Sequence, residues 1–292
     1  MPEIPDLLHT RGYLERTVIG RDITEVSIPQ PVVVRVIAGG DPKDLLGGRK
    51  IQAIETRGPF LRFRLSGSLS LILNLMLAGR LQHQLPGSRA DGYCCLSLCL
   101  EDGSRLNLSD SKRMAKVYVA PDDAVAKVPR FGNQGVDILS GEFTLPAFRI
   151  LVNAHRRKQV RVFLTDQRIL SAIGNAYADE ILFDAKIHPK TFTGKLREEE
   201  RDALWESIRS VMQWGIDEVR KAGQPIEVKV RDHLRVRNRK GEPCPRCNTT
   251  IRREGVRGYD VFFCPLCQPA TRELFLDWRK VEPPRRHDAK RD

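Results

Sequence analysis

Long apolar runs are missing from this chain. No 18 consecutive apolar residues occur, and the longest such stretch, Leu69 to Leu77, is interrupted by Ser70 and Asn74. A membrane-spanning helix is therefore not expected. The first residues, MPEIPDLL, lack the basic start and apolar centre of a signal peptide. Both absences lead us to expect a soluble protein of the cytoplasm (nucleoid-associated if prokaryotic), where stable disulfides do not persist. Internal repeats and long low-complexity segments are also lacking, and nothing points to oligomerisation, so a monomer is the expectation. Cysteine is scarce, seven in 292 residues, and unevenly placed.

Four of the seven form two C-x-x-C pairs in GEPCPRCNTTIRREGVRGYDVFFCPLC, Gly241 to Cys267. Cys244, Cys247, Cys264 and Cys267 fit the spacing of a four-thiolate zinc site, because each C-x-x-C turn aims two sulfurs at one point. A redox site would need only one pair. The spacer reads as two short strands around a glycine-containing turn, giving a zinc ribbon with one structural zinc per chain. A closed four-cysteine site leaves no open coordination position for catalysis. Cys94, Cys95 and Cys99 lie in the apolar run YCCLSLCLEDG and read as ordinary buried thiols.

The net charge is +12, and it is unevenly spread. Between Arg220 and Asp292 there are 19 Lys and Arg against 10 Asp and Glu. The run KVRDHLRVRNRK, Lys229 to Lys240, leads straight into the first cysteine pair. Such a run is either a solvated face or a surface that touches phosphates, and beside a zinc ribbon the second reading is favoured.

The first part of the chain is strand-rich. DITEVSI, KIQAIETRG, PFLRFRLSG, LSLILNLM, YCCLSLCLEDG, SRLNLSDS and AKVYVAPD are short β-type runs separated by Gly, Pro or Asp-Gly turns. Seven such runs predict an antiparallel β-sandwich or barrel, with a helix over residues 5–19 packed on it. After VPRFGNQGVDILSGEF the pattern turns helical, and Leu204, Ile208, Val211, Trp214, Ile216 and Val219 fall roughly on one helix face. The expected class is α+β. We divide it into a β-rich domain (1–130), a helical domain (131–238), a zinc ribbon (239–270) and a disordered tail (271–292). Within the helical part, IGNAYADEIL places a Gly-Asn turn before a helix, where Asn175 reads as an N-cap or as part of a phosphate-binding helix terminus.

Four landmarks, taken in order, resemble the formamidopyrimidine-DNA glycosylase/endonuclease VIII family along nearly the whole chain. They are PEIP directly after Met1, SDSKRMA, DQRILSAIGNAYADEILFDAKIHP, and the flanked cysteine pairs GEPCPRCNTTI and FFCPLCQ. The third is similar to that family's helix–two-turn–helix element. The resemblance implies removal of Met1 and attack on a sugar C1′ by the secondary amine of Pro2, with Glu3 transferring protons to the opening sugar. It implies a DNA repair glycosylase with abasic-site lyase activity, acting on double-stranded DNA that carries damaged bases or abasic sites. It also implies DNA contacts from Asn175, from Leu77, Lys112, Arg113 and Met114, and from the finger-tip residues Arg257 and Tyr259.

The chain departs from that family's pattern in places. Pro59 stands where the family's strand hairpin presents a Lys, Tyr259 where its finger carries an Arg, and Asp6 where a second Glu is usual. Leu77, Lys112 and Met114 replace a Met, an Arg and a Phe that fill the gap left by the extruded nucleotide. Altered or narrowed lesion specificity is the expectation. The alternative is a DNA-damage-binding protein on the same scaffold with little catalysis, in which the retained Pro2-Glu3 pair would have no use.

Overall fold

The computed structural model of the protein describes residues 1–37, 39–88 and 92–270. Helix α1 (Ile4–Thr17) opens the chain, with Pro5 in its first turn, where a missing N–H costs nothing. The Asp6 carboxylate turns back to accept the Glu3 backbone N–H at 2.9 Å, supplying one arm of a capping box. Strands β1 (Ile23–Ser27) and β2 (Val34–Val36) follow, then a short helix α2 (Pro42–Leu46). Seven more strands complete this part: β3 (Ile51–Arg57), β4 (Phe60–Leu65), β5 (Leu69–Asn74), β6 (Arg80–Gln84), β7 (Cys94–Leu100), β8 (Arg105–Ser109) and β9 (Lys116–Pro121).

They form two sheets, ordered β1-β7-β8-β6 and β2-β9-β5-β4-β3. Sheet-on-sheet packing makes this a sandwich, as the strand runs predicted. Every pairing is antiparallel except β2 with β9, which is parallel. Strand β5 explains its own uninterrupted apolar sequence. Leu71 and Leu73 point into the main core, while Ile72 joins Phe60, Tyr118, Val128 and Phe131 in a second cluster. The chain after β9 thus covers the sheet's outer face. Two strands were not anticipated. Strand β2 has only three residues, and in β6 only Leu81 of RLQHQ is buried.

The helical part contains α3 (Leu145–Ala154), α4 (Val160–Thr165), α5 (Asn175–Asp184) and α6 (Glu198–Ala222). Helix α6 buries Leu204, Ile208, Val211, Ile216 and Val219 on one stripe and stops at Gly223, whose φ of 57° is the left-handed C-cap conformation. Trp214 lies off the stripe, half-buried. Helix α1 packs on α6 as well as on β3, so one core runs from Ile4 through the sandwich to Leu234 in the linker after α6. The first residues of the chain therefore sit at the junction of the two parts.

The last described part is a hairpin of β10 (Arg252–Val256) and β11 (Tyr259–Phe263). Arg257 (φ 47°) and Gly258 (φ 81°) are both left-handed, the requirement of a two-residue type I′ turn. Phe183 of α5 joins Val236, Cys244, Ile251, Phe262 and Cys264 in a small core that docks the hairpin. No helix among the described residues is long and apolar enough to cross a membrane. The segment 271–292, expected to be a tail, lies outside the described residues.

Helices α5 and α6 pack together at Gly215, where an added Cβ would lie 2.3 Å from Tyr177 Cε1. Tyr177 is fully buried and cannot swing away. Gly215→Ala should therefore cost about 1–3 kcal/mol of stability through overpacking. A thermal melt checks this, and an unchanged midpoint would show that the two helices separate freely.

Candidate active site

Glu3 is 3% exposed, and its carboxylate is bound from a segment more than 170 residues away. Its Oε2 accepts the backbone N–H groups of Gly174 and Tyr177, and its Oε1 accepts that of Ala176, each at 3.0 Å. These donors form the N-terminus of α5, so the charge also meets the positive end of the helix dipole. The close approach dictates the glycine: a Cβ at residue 174 would lie 2.6 Å from Glu3 Cδ. Ile4 N–H donates to Ala172 C=O at 3.1 Å, and the Gln167 side chain braces the same loop through Ala172 N–H and Ile173 C=O. The α5 amides expected to serve a phosphate are thus occupied, three of them, by Glu3.

Asn175 is the first residue of α5 rather than its cap, which is Gly174. Its Oδ1 accepts from Arg161 Nη2 at 2.9 Å, and because a guanidinium only donates, the amide's orientation is settled. That leaves the Asn175 NH2 group as the donor available to solvent. Arg161 is itself buried and pairs with Asp179 at 3.0 Å.

A cleft of about 630 Å³ gathers residues from every part of the chain. It is lined by Met1, Glu3, Leu77, Met114, Asn175 and Tyr259, among others. Leu77 and Tyr259 are more than half exposed, which is unusual for side chains of this kind unless something covers them. The loop carrying Met114 is rigid. Asp110 accepts the N–H groups of Lys112, Met114 and Ala115 at 2.7–2.9 Å, and Arg113 takes a left-handed φ of 52°. Lys112, Arg113 and Arg257 are exposed but do not line the cleft. Pro59 does not line it either. Pro2 is buried and borders a small adjoining cavity of about 20 Å³. At the chain terminus the Met1 ammonium is pushed down to about 6, first by burial and then by Lys229, against the opposing charges of Glu3 and Asp6.

A larger groove, about 1280 Å³, lies between the β3–β4 turn and residues 131–142. Its arginines are already engaged: Arg62 with Glu55 and Asp122, Arg57 with the carbonyls of Phe131 and Gly132. Neither Glu3 nor Asn175 lines it.

The basic run before the finger differs from the surface that its composition suggested. Arg231 binds Asp6 through two nitrogens at 2.6 and 2.9 Å. Arg235 reaches Glu180 and Asp184, Arg237 reaches Asp179 at 2.7 Å, and Arg239 reaches Glu242. Glu180, fully buried, also accepts the N–H groups of Arg235, Val236 and Arg237. Burial pushes the Asp179 carboxyl up to about 6, and Arg161 and Arg237 pull it back. The arginines thus fasten the linker and finger to α5. The acidic partners of Arg231, Arg235 and Arg237 are distant in sequence, so composition alone could not reveal those pairings.

The four sulfurs of Cys244, Cys247, Cys264 and Cys267 lie within 4.8 Å of one another. Cys247 Sγ is 3.4 Å from Cys264 Sγ, and Cys244 Sγ is 3.9 Å from Cys267 Sγ. Tetrahedral zinc with bonds of ~2.3 Å sets its sulfurs about 3.8 Å apart, so the donor set fits one structural zinc. Of the three sandwich cysteines, Cys95 is buried and Cys94 and Cys99 are half-buried.

Three family models match the chain: the formamidopyrimidine-DNA glycosylase N-terminal domain over residues 1–117, the formamidopyrimidine-DNA glycosylase H2TH domain over 135–224, and the zinc finger found in FPG and IleRS over 241–270. A formamidopyrimidine-DNA glycosylase of Symbiobacterium thermophilum is 33% identical, spanning 100% of this chain and 97% of the relative. That of Heliobacterium modesticaldum is 31% identical over 92% of this chain and 100% of the relative. Among solved structures, the Lactococcus lactis Fpg in complex with abasic-site DNA superposes with a TM-score of 0.82 at 26% identity, covering 92% of this chain and 100% of that one. The Fpg protein of Thermus thermophilus gives 0.80 at 29% identity, covering 91% and 98%.

Two substitutions test the geometry. Glu3→Gln turns an NH2 group toward amides that already donate, leaving at least one unsatisfied. The loss should be about 1–3 kcal/mol, read by denaturant unfolding. Cys264→Ser should release the zinc, measured by metal analysis, and loosen the finger while the sandwich stays folded. Retention of one full equivalent of zinc would contradict the assigned ligand set.

Proposed function

The chain belongs to the formamidopyrimidine-DNA glycosylase family, and from that premise we propose that Pro2, made the terminus by removal of Met1, is its nucleophile and Glu3 its proton carrier. The protein is a DNA repair glycosylase. Its substrate is duplex DNA carrying damaged bases, and the abasic site left behind is cleaved by the same centre. The observation that carries this reading is the Glu3 carboxylate, fixed by three amides of α5 on the floor of the cleft, immediately after Pro2.

The unprotonated Pro2 nitrogen donates its electron pair to the sugar C1′. The bond from C1′ to the base breaks, its electron pair leaves with the base, and the base takes up a proton from water. The Pro2 N–H proton passes to the Glu3 carboxylate, and opening of the sugar ring then yields an iminium between Pro2 and C1′, with the ring oxygen taking that proton from Glu3. Loss of a C2′ proton then expels the 3′ phosphate, and water releases the enzyme. An α-amino group, with an ordinary pKa of about 8, keeps a usable unprotonated fraction at neutral pH, and only that form attacks. Leu77 and Met114 are apolar, line the cleft and suit the gap left by an extruded nucleotide. Asn175 donates to a neighbouring phosphate.

Pro59 and Tyr259 narrow the range of bases excised, because they withdraw two cations that would steady the departing charge. Cleavage of an existing abasic site is less affected, since that sugar already presents an aldehyde to the amine. The expected pattern is that the Met1-free protein is trapped by borohydride on abasic DNA and cleaves it faster than it excises common oxidised bases. Pro2→Gly should reduce trapping with DNA binding intact. Tight binding of abasic DNA by the wild type without any trapped complex would replace this reading with that of a damage-binding protein.

A further inference from the structure

Three cations line the cleft among the described residues: Lys229, Arg231 and Arg237. Two are neutralised from within. Arg231 is clamped on Asp6, and Arg237 is bound to Asp179. Lys229 differs. It is half-buried in the linker after α6, and no described carboxylate lies within ion-pair distance of its ammonium. It also lines the small cavity beside Pro2, together with Arg80, and so reaches both sides of the chain's first residues. Arg80 is anchored by the carbonyls of Leu77 and Gly79. A partly desolvated ammonium without a partner is costly until an anion meets it. A cleft that takes DNA brings such an anion.

We infer that Lys229 grips the DNA phosphate beside the lesion and, before DNA arrives, readies the terminal amine of Pro2, filling the place that the β3–β4 hairpin leaves without a cation at Pro59. The second half of this statement rests on Pro2 as nucleophile; the first does not. Around the terminus stand Glu3 and Asp6 from α1, Arg80 from the start of β6, and Lys229 and Arg231 from the linker. Glu3 and Asp6 favour the protonated amine. On the Met1 ammonium, one residue before Pro2, Lys229 is the cation that opposes them most, ahead of Arg80. Lys229 is pushed down in turn, first by burial and then by Arg80. A lysine suits the position, because an ammonium on a flexible stem can follow the phosphate as the nucleotide turns out.

The test compares wild type, Lys229→Gln and Lys229→Arg in the full chain. Binding to duplex DNA with a tetrahydrofuran abasic analogue is measured across a salt series. Each phosphate gripped contributes a slope of about 0.9 in log affinity against log salt. Lys229→Gln should lose about that much slope, and Lys229→Arg should keep it. The pH profile of kcat/KM for abasic-site cleavage reports the free enzyme. Its rising limb should move to higher pH in Lys229→Gln, because without the neighbouring cation the amine holds its proton more tightly. Thermal melts establish that each variant is folded. An unchanged salt slope in a folded Lys229→Gln overturns the phosphate contact, and an unmoved pH limb overturns the effect on the amine. A wild type that forms no Schiff base would sink the Pro2 reading, while the salt slope would still decide on Lys229.

Discussion

A single carboxylate joins the two ends of this architecture. Glu3 is buried beside the cleft, and a buried carboxylate is tolerated only when its lone pairs are met. The N-terminus of α5 meets them with three N–H groups that have no partner inside the helix. Much of the local chain follows from that contact. Gly174 is required because any side chain there would occupy the carboxylate's space. Ala172 accepts a left-handed φ of 59° so that its carbonyl reaches Ile4 N–H. Asp6, one turn into α1, holds the Glu3 backbone with one oxygen while both of its oxygens receive Arg231. The sandwich and the helical part are thereby fixed to one another at Glu3.

Helix α5 extends the same logic toward the finger. Its Asp179, Glu180 and Asp184 receive Arg161, Arg235, Arg237 and a set of linker amides. Asp179 lies between two arginines and also accepts Phe262 N–H from the finger hairpin at 3.3 Å. Removing Asp179 would strand the buried Arg161, at a cost of about 3–5 kcal/mol. The network therefore specifies where the finger sits more than it adds to stability. Zinc closes the finger, and α5 aims it, so that Tyr259 arrives at the same cleft as Glu3.

These relations show which parts of the molecule could be read from sequence. The seven strand runs were legible because Gly, Pro and Asp-Gly turns separate them, and the zinc site because two C-x-x-C pairs have few other uses. Strand β2 escaped because three residues carry no periodicity, and β6 because its polar RLQHQ buries only Leu81. The occupant of the α5 terminus could not be foreseen from IGNAYADEIL. A phosphate and a distant carboxylate satisfy the same amides, and only the folded chain brings Glu3 there. The linker arginines misled for a related reason, since charge along a sequence does not reveal whether its partner is solvent, DNA or a buried acid.

The pairing of those arginines changes what the net charge of +12 means for DNA. An arginine already bidentate with a carboxylate presents little field to a phosphate, so the linker's charge density overstates its grip. Among the described residues, positive charge outside these pairs is instead found at exposed positions such as Lys112, Arg113 and Arg257, and at Lys229 within the cleft. Lys112 and Arg113 sit on a loop that Asp110 holds rigid, and Arg257 on a type I′ turn that its own left-handed backbone defines. Their positions are therefore set before DNA is met, and little ordering entropy is lost on contact. Pro59 and Tyr259 remove charge from two places, but the buried frame that carries Pro2 and Glu3 does not depend on either. The Glu3 carboxylate is thus held by the α5 amides whatever stands at positions 59 and 259.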